Sequence, residues 1–112
     1  MICTLTARRL KPGSYEQFRA AWEPAGTAAI SHAGWTRTYH CQDVADPDVV
    51  ISFGLFDGTL EQLREAQQQI GRASQVDLIS PHVREVLLDG SYEVIDALSR
   101  EGSSRPAPST RR

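Results

Sequence analysis

The stretch Val49-Val50-Ile51-Ser52-Phe53-Gly54-Leu55-Phe56 is apolar or small on both of its alternating sets. Val49, Ile51, Phe53 and Leu55 form one set, and Val50, Ser52, Gly54 and Phe56 the other. A strand with one face in water alternates polar with apolar, and this one does not, so the pattern predicts a central strand covered on both sides. The run is β-branched and aromatic, and it is bounded by Asp46-Pro47-Asp48 and Asp57-Gly58, which favours a strand over a turn of buried helix.

The flanking segments are read in the same way. Residues 2–9 alternate Ile2, Thr4, Thr6 and Arg8 against Cys3, Leu5, Ala7 and Arg9, a first strand broken by Lys11-Pro12-Gly13. Ser14 and Gln17 have capping-box spacing, and Tyr15, Phe18, Trp22, Ala25 and Ala29 make one apolar helical stripe that ends at Ala33-Gly34. Pro24 inside that stripe removes an amide donor, which predicts a kink or restart near Glu23. Residues 35–42, Trp-Thr-Arg-Thr-Tyr-His-Cys-Gln, read as a second strand, joined to the central one by a short acidic connector as an antiparallel hairpin.

Thr59 and Gln62 repeat the capping-box spacing ahead of Leu60, Leu63, Ala66 and Ile70, a second helix closed by Gly71. A further turn over Gln75 to Ile79 and a restart at Ser80-Pro81, with Val83, Val86 and Leu87 at helical steps and Gly90 as the cap, lead to a last strand over Ser91 to Leu98.

Strand, helix, strand, strand, helix, strand is the ferredoxin-like βαββαβ arrangement of the α+β class, a four-stranded antiparallel sheet with its helices on one face. One domain over residues 1–98 and a flexible tail over 99–112 follow. The tail has no large apolar residue, so burial cannot repay the entropy of ordering it. Because the central strand is apolar on both sides and the helices cover only one, the bare face is expected to close against a second copy, as a homodimer.

Composition narrows the class of partner. The chain has 112 residues, enough for one core and not two, with a formal charge of −2 and no basic excess of the kind a nucleic acid would require. No run approaches the roughly 18 apolar residues of a membrane span, and the N-terminus lacks the pattern of a signal peptide. The chain therefore reads as cytoplasmic, with no nucleic acid and no membrane as partner. Cys3 and Cys41 form no ligand or redox pair and read as reduced, small apolar residues.

The order of elements, with Lys11-Pro12-Gly13-Ser14-Tyr15-Glu16-Gln17-Phe18 after the first strand, Gly34-Trp35 opening the second and Phe53-Gly54-Leu55-Phe56-Asp57-Gly58-Thr59 before the second helix, resembles the antibiotic biosynthesis monooxygenase-like proteins of the dimeric α+β barrel group. The resemblance covers residues 1 to about 98. It implies a homodimer with an apolar pocket between sheet and helices. Some members oxidise polycyclic aromatic compounds with molecular oxygen and no metal or flavin, and others degrade haem. The haem-degrading members use an asparagine on the first strand with a tryptophan and a histidine on the second helix. This chain has no asparagine, and Leu60 to Ile70 holds neither of the others, which argues against that route. Oxygenase members also tend to carry a tryptophan or asparagine on that helix, and their common third-strand glutamate corresponds to Gly54.

From the residues themselves, alternation places Trp35, Arg37 and Tyr39 on one face of the second strand. There two rings could stack a flat aromatic ligand while Arg37 holds its phenolate or carboxylate. The alternative is that the rings pack in the dimer interface. His40, on the other face, and His82 are the candidate catalytic bases for a phenolic proton, against the plainer reading of a satisfied strand histidine and a surface or rim residue. His32 lies near a helix C-terminus, which its charge suits. The three histidines show no metal-ligand spacing, and Asp43, Asp46 and Asp48 lack the glycine and distal glutamate of a calcium loop, so no metal and no cofactor are expected. Three readings stay open: a cofactor-independent monooxygenase of a small aromatic or polyketide-like compound, a non-catalytic small-molecule-binding or accessory protein, and a structural dimerisation module.

Overall fold

The computed structural model describes residues 1–32 and 34–100. The strands are β1 (Ile2–Leu10), β2 (Trp35–Gln42), β3 (Val49–Phe56) and β4 (Val83–Glu93). The helices are α1 (Tyr15–Ser31), α2 (Leu60–Gln69) and α3 (Arg72–Ile79), with a 3₁₀ turn over Ser80–His82. The strands form one antiparallel sheet in the order β2-β3-β1-β4, so β3 and β1 are both internal, as the two-sided apolar pattern of residues 49–56 requires. Of the tail placed at 99–112, residues 101–112 lie outside the described residues, as does Ala33 at the end of the first helical stripe.

Register fixes what each face carries. Ile2, Thr4, Thr6 and Arg8 of β1 stand opposite Phe56, Gly54, Ser52 and Val50 of β3, and these face the helices. Two apolar clusters seal the sheet against them. One gathers Ile2, Trp35 and Phe56 with Ala29 of α1 and Leu63 and Ala66 of α2. The other gathers Leu10 and Val50 with Phe18 of α1 and Ile79 of α3. Between the clusters the strands offer only small or polar side chains, Thr4, Thr6, Ser52 and Gly54, so sheet and helices cannot close there by apolar packing.

Three local expectations are corrected. The helix restarting at Ser80 is only the 3₁₀ turn Ser80–His82, and the last strand runs from Val83 to Glu93 and not from Ser91 to Leu98. Its pairing with β1 shifts register twice, leaving Arg84 and Leu87 without an opposite residue. Each extra residue resets the alternation, so Val83 and Val86, opposite Leu10 and Arg8, fall three apart and imitate a helical stripe. α1 does not restart at Pro24 but runs as one helix from Tyr15 to Ser31, with Phe18 buried before the proline and Gly26 and Ala29 after it. The Ser14 hydroxyl makes no capping bond, because its backbone (φ −97°, ψ 9°) is not extended as an N-cap requires. The Thr59–Gln62 capping box does form, with both reciprocal bonds present at 3.1 and 2.8 Å. Gly71, at φ 72°, reverses the chain between α2 and α3, a conformation costly for any residue with a Cβ.

Candidate functional site

The gap between the two clusters is a cavity of about 250 Å³ between the inner face of the sheet and all three helices. Its floor is Thr4 and Thr6 of β1, Ser52 and Gly54 of β3, Thr38 of β2 and Ser91 of β4, and its apolar walls include Trp22, Trp35, Ile70, Val76 and Ile79. Both tryptophans of the chain line it. That volume falls somewhat below the roughly 300–1,000 Å³ of drug-sized ligand sites and suits a compact, flat molecule.

The charges in the lining are Arg8, Arg64 and Arg72 against one carboxylate, Asp89. Asp89 is already engaged: its Oδ1 accepts from Thr6 Oγ1 at 3.1 Å and from Arg72 Nη2 at 3.3 Å. Arg64 donates to Gln67 Oε1 at 3.1 Å and to Ser91 Oγ at 3.4 Å. Arg8 differs from both. It is only 7% exposed, its Nη1 has no hydrogen-bond partner among the described residues, and its guanidinium lies 5.5 Å from the centre of the Phe18 ring. Burial pushes its pKa down, Asp89 opposes that shift, and Arg72 adds to it.

The predicted site residues divide between the two faces of the sheet. Trp35 lines the cavity, but Arg37 and Tyr39 do not. The pairing of β2 with β3 shifts between Trp35, opposite Phe56, and Arg37, opposite Leu55, so the bulge at Thr36 turns Trp35 to the helix side and leaves Arg37 and Tyr39 on the open side. There Arg37 Nη1 donates to the Tyr39 hydroxyl at 3.3 Å, and the Tyr39 ring stacks on Phe53 at 4.7 Å. Trp35 is admitted by Gly54, where a Cβ would lie 3.1 Å from the indole Cδ1 and 3.3 Å from the Arg37 carbonyl oxygen. A glutamate at Gly54 would have to displace that indole.

Neither candidate base is among the residues lining the cavity. His40 faces the helices but sits behind Trp22, its ring 4.9 Å from that indole and 5.7 Å from both Tyr15 and Phe18. Both of its ring nitrogens are buried without a partner, and its pKa is lowered by burial first, then by Arg19 and Arg8. His82 is half-buried in the 3₁₀ turn, where its backbone carbonyl accepts from Lys11 N–H at 3.0 Å. His32 ties α1 to α2: its Nδ1 accepts from Gly34 N–H at 3.2 Å, so Nε2 carries the proton and donates to Gln69 Oε1 at 2.9 Å.

The residues the sequence reading passed over, Arg8 and Ser52 above all, were signalled by polar side chains within the inward sets of the two internal strands. No group of three or more potential metal ligands occurs among the described residues, and no described helix is long and apolar enough to cross a membrane.

Among solved structures the fold is that of antibiotic biosynthesis monooxygenase-like proteins. A provisionally assigned antibiotic biosynthesis monooxygenase from Deinococcus radiodurans superposes with a TM-score of 0.75 at 14% identity, covering 88% of this chain and 97% of that one. One from Nitrosomonas europaea gives 0.73 at 17% identity, over 84% and 98%. SnoaB from Streptomyces nogalater, described as a cofactor-independent oxygenase, gives 0.73 at 11% identity, over 87% and 95%. No protein-family model and no curated protein matches the sequence. At these identities the likeness establishes the fold, and the chemistry is argued from the cavity.

Proposed function

We propose that this chain is a homodimeric oxygenase that uses neither metal nor flavin and oxidises a small aromatic or polyketide-like compound in the cavity between sheet and helices. The observation that carries the reading is the cavity itself: two indoles in the walls, a small polar floor, and three arginines against one carboxylate. In such a site the protein's task is to favour the anion of an acidic phenol or enol. The guanidinium groups lower the pKa of the bound hydroxyl, and the apolar walls strengthen that effect by lowering the local dielectric. The electron-rich ring carbon then reduces oxygen. Overall, a ring CH₂ and O₂ become C=O and H₂O, with all electrons supplied by the substrate.

The dimer is proposed on the open face of the sheet. That face carries Leu5, Ile51, Phe53, Leu55, Leu88 and Tyr92, of which Ile51, Leu88 and Tyr92 are 37–49% exposed. Burial also raises the pKa of the Cys3 thiol on this face, keeping it an uncharged apolar group.

A second reading, binding without turnover, is favoured by one feature: the lining offers no histidine, and its carboxylate is held by Thr6 and Arg72. An oxygen electrode separates the two. The oxygenase reading expects oxygen uptake matched by quinone formation with at least one of a panel of anthrones and quinols. Saturable quenching of tryptophan fluorescence by those compounds with no uptake would leave the binding reading in its place.

A further inference from the structure

Arginine is seldom buried without an acceptor, because an unpaired charge loses its hydration and gains nothing in return. In this chain Arg8 is more than nine-tenths buried on an internal strand, with Nη1 unpartnered among the described residues and the cavity in front of it. A second orphan lies on the neighbouring strand. Ser52 lines the cavity too, and its Oγ is inaccessible to solvent and has no partner among the described residues. In the β1–β3 register Ser52 is opposite Thr6, one step along the same face from Arg8. A guanidinium N–H and a hydroxyl on adjacent strands, both carried by residues that line the cavity, therefore have no hydrogen-bonded acceptor among the described residues.

No group in the lining is hydrogen-bonded to either donor, although Asp89 attracts Arg8 electrostatically. Asp89 accepts from Thr6 and Arg72, and Arg64 and Arg72 add positive charge. We propose that Arg8 and Ser52 form the anion subsite of the cavity, and that its ligand is a small aromatic acid whose carboxylate accepts from both while its ring packs between Trp22 and Trp35. A carboxylate offers two oxygens to two donors, and the guanidinium fork matches it in a way it does not match one phenolic oxygen. The inference rests on the cavity being a ligand site, and not on oxygen chemistry.

The test is a titration near neutral pH, in a buffer free of carboxylates, with 2-naphthoate and its neutral isostere 2-naphthamide. Quenching of the two cavity tryptophans is the readout. The wild-type protein is expected to bind naphthoate about tenfold to a hundredfold more tightly than the amide, the range that charge-assisted hydrogen bonds supply. Arg8→Met should bring naphthoate down towards the level of the amide and weaken the amide far less, since a neutral carbonyl oxygen accepts a weaker bond than a carboxylate. It should also raise the thermal midpoint of the ligand-free protein, since an unpaired buried charge is replaced by an apolar chain of similar length. A merely structural arginine would lower the midpoint. Ser52→Ala, which removes one small donor, should weaken naphthoate more than the amide and serves where Arg8→Met does not fold.

Equal affinity for acid and amide, no saturable quenching by either, or an Arg8→Met protein that binds naphthoate like wild type would overturn the proposal. Selective naphthoate binding by a protein inert towards oxygen would support it and sink only the oxygenase reading. Oxygen consumption without acid selectivity would do the reverse.

Discussion

Placing an aspartate at Ile51 is the sharpest perturbation of the proposed dimer. Ile51 lies on internal strand β3, on the open face, between Ala7 of β1 and Cys41 of β2. It keeps 37% of its surface exposed in the single subunit. Fully burying an isoleucine contributes about 1.5–3 kcal/mol, so covering the remaining third contributes roughly 0.5–1 kcal/mol per copy, and two-fold symmetry doubles that. Aspartate forfeits this gain and also places two carboxylates against an apolar surface, at a desolvation cost of several kcal/mol. The combined loss, about 5 kcal/mol, corresponds to a dimer weakened by more than about a thousandfold. Sedimentation velocity at micromolar concentration should show a dimer for wild type and a monomer for Ile51→Asp. Ile51→Thr, which keeps the β-branch, should weaken the dimer only about tenfold. Circular dichroism is expected to show the variant folded, since a half-exposed position in a single subunit tolerates a charge. A wild type that is monomeric, or an Ile51→Asp protein that dimerises as well as wild type, would refute the reasoning.

Two further predictions follow from local geometry. Thr59→Ala should cost about 1 kcal/mol in urea denaturation, because it removes the capping bond that Gln62 N–H donates, whereas Ser14→Ala should be close to neutral, its hydroxyl making no cap. His40 has a folded-state pKa below the ordinary histidine value, so the unfolded chain takes up a proton first as pH falls. Stability from this residue is therefore complete above about pH 6.5 and declines below it, and His40→Phe should flatten the fall in thermal midpoint between about pH 7.5 and pH 5.5.

How far the fold could be read ahead depended on whether alternation survived in each strand. β1, β2 and β3 have short, clear boundaries, and α2 announces itself with a capping box that the structure contains. β4 was hidden because Arg84 and Leu87 interrupt its pairing, and two interruptions turn a period of two into helical spacing. The same effect misplaced the candidate site: one bulge at Thr36 separates Trp35 from Arg37 and Tyr39, and no property of those side chains reveals it. The cavity was half legible. Thr4, Thr6, Ser52 and Gly54 were plainly too small or too polar for a sealed core, but only the register aligns them into one floor. Arg8 was read as an ordinary member of an alternating set, because its burial depends on Phe18 of α1, which a strand pattern does not include.

The central claim is that ligands enter between the sheet and its helices and that the open sheet face serves assembly. The most direct measurement is a chemical-shift map of the isotopically labelled protein titrated with 2-naphthoate. The account predicts that both indole N–H signals and the amides of Thr4, Thr6, Ser52 and Gly54 shift together with one saturation curve. Shifts confined to Arg37, Tyr39, Leu88 and Tyr92, with both indoles unmoved, would contradict it.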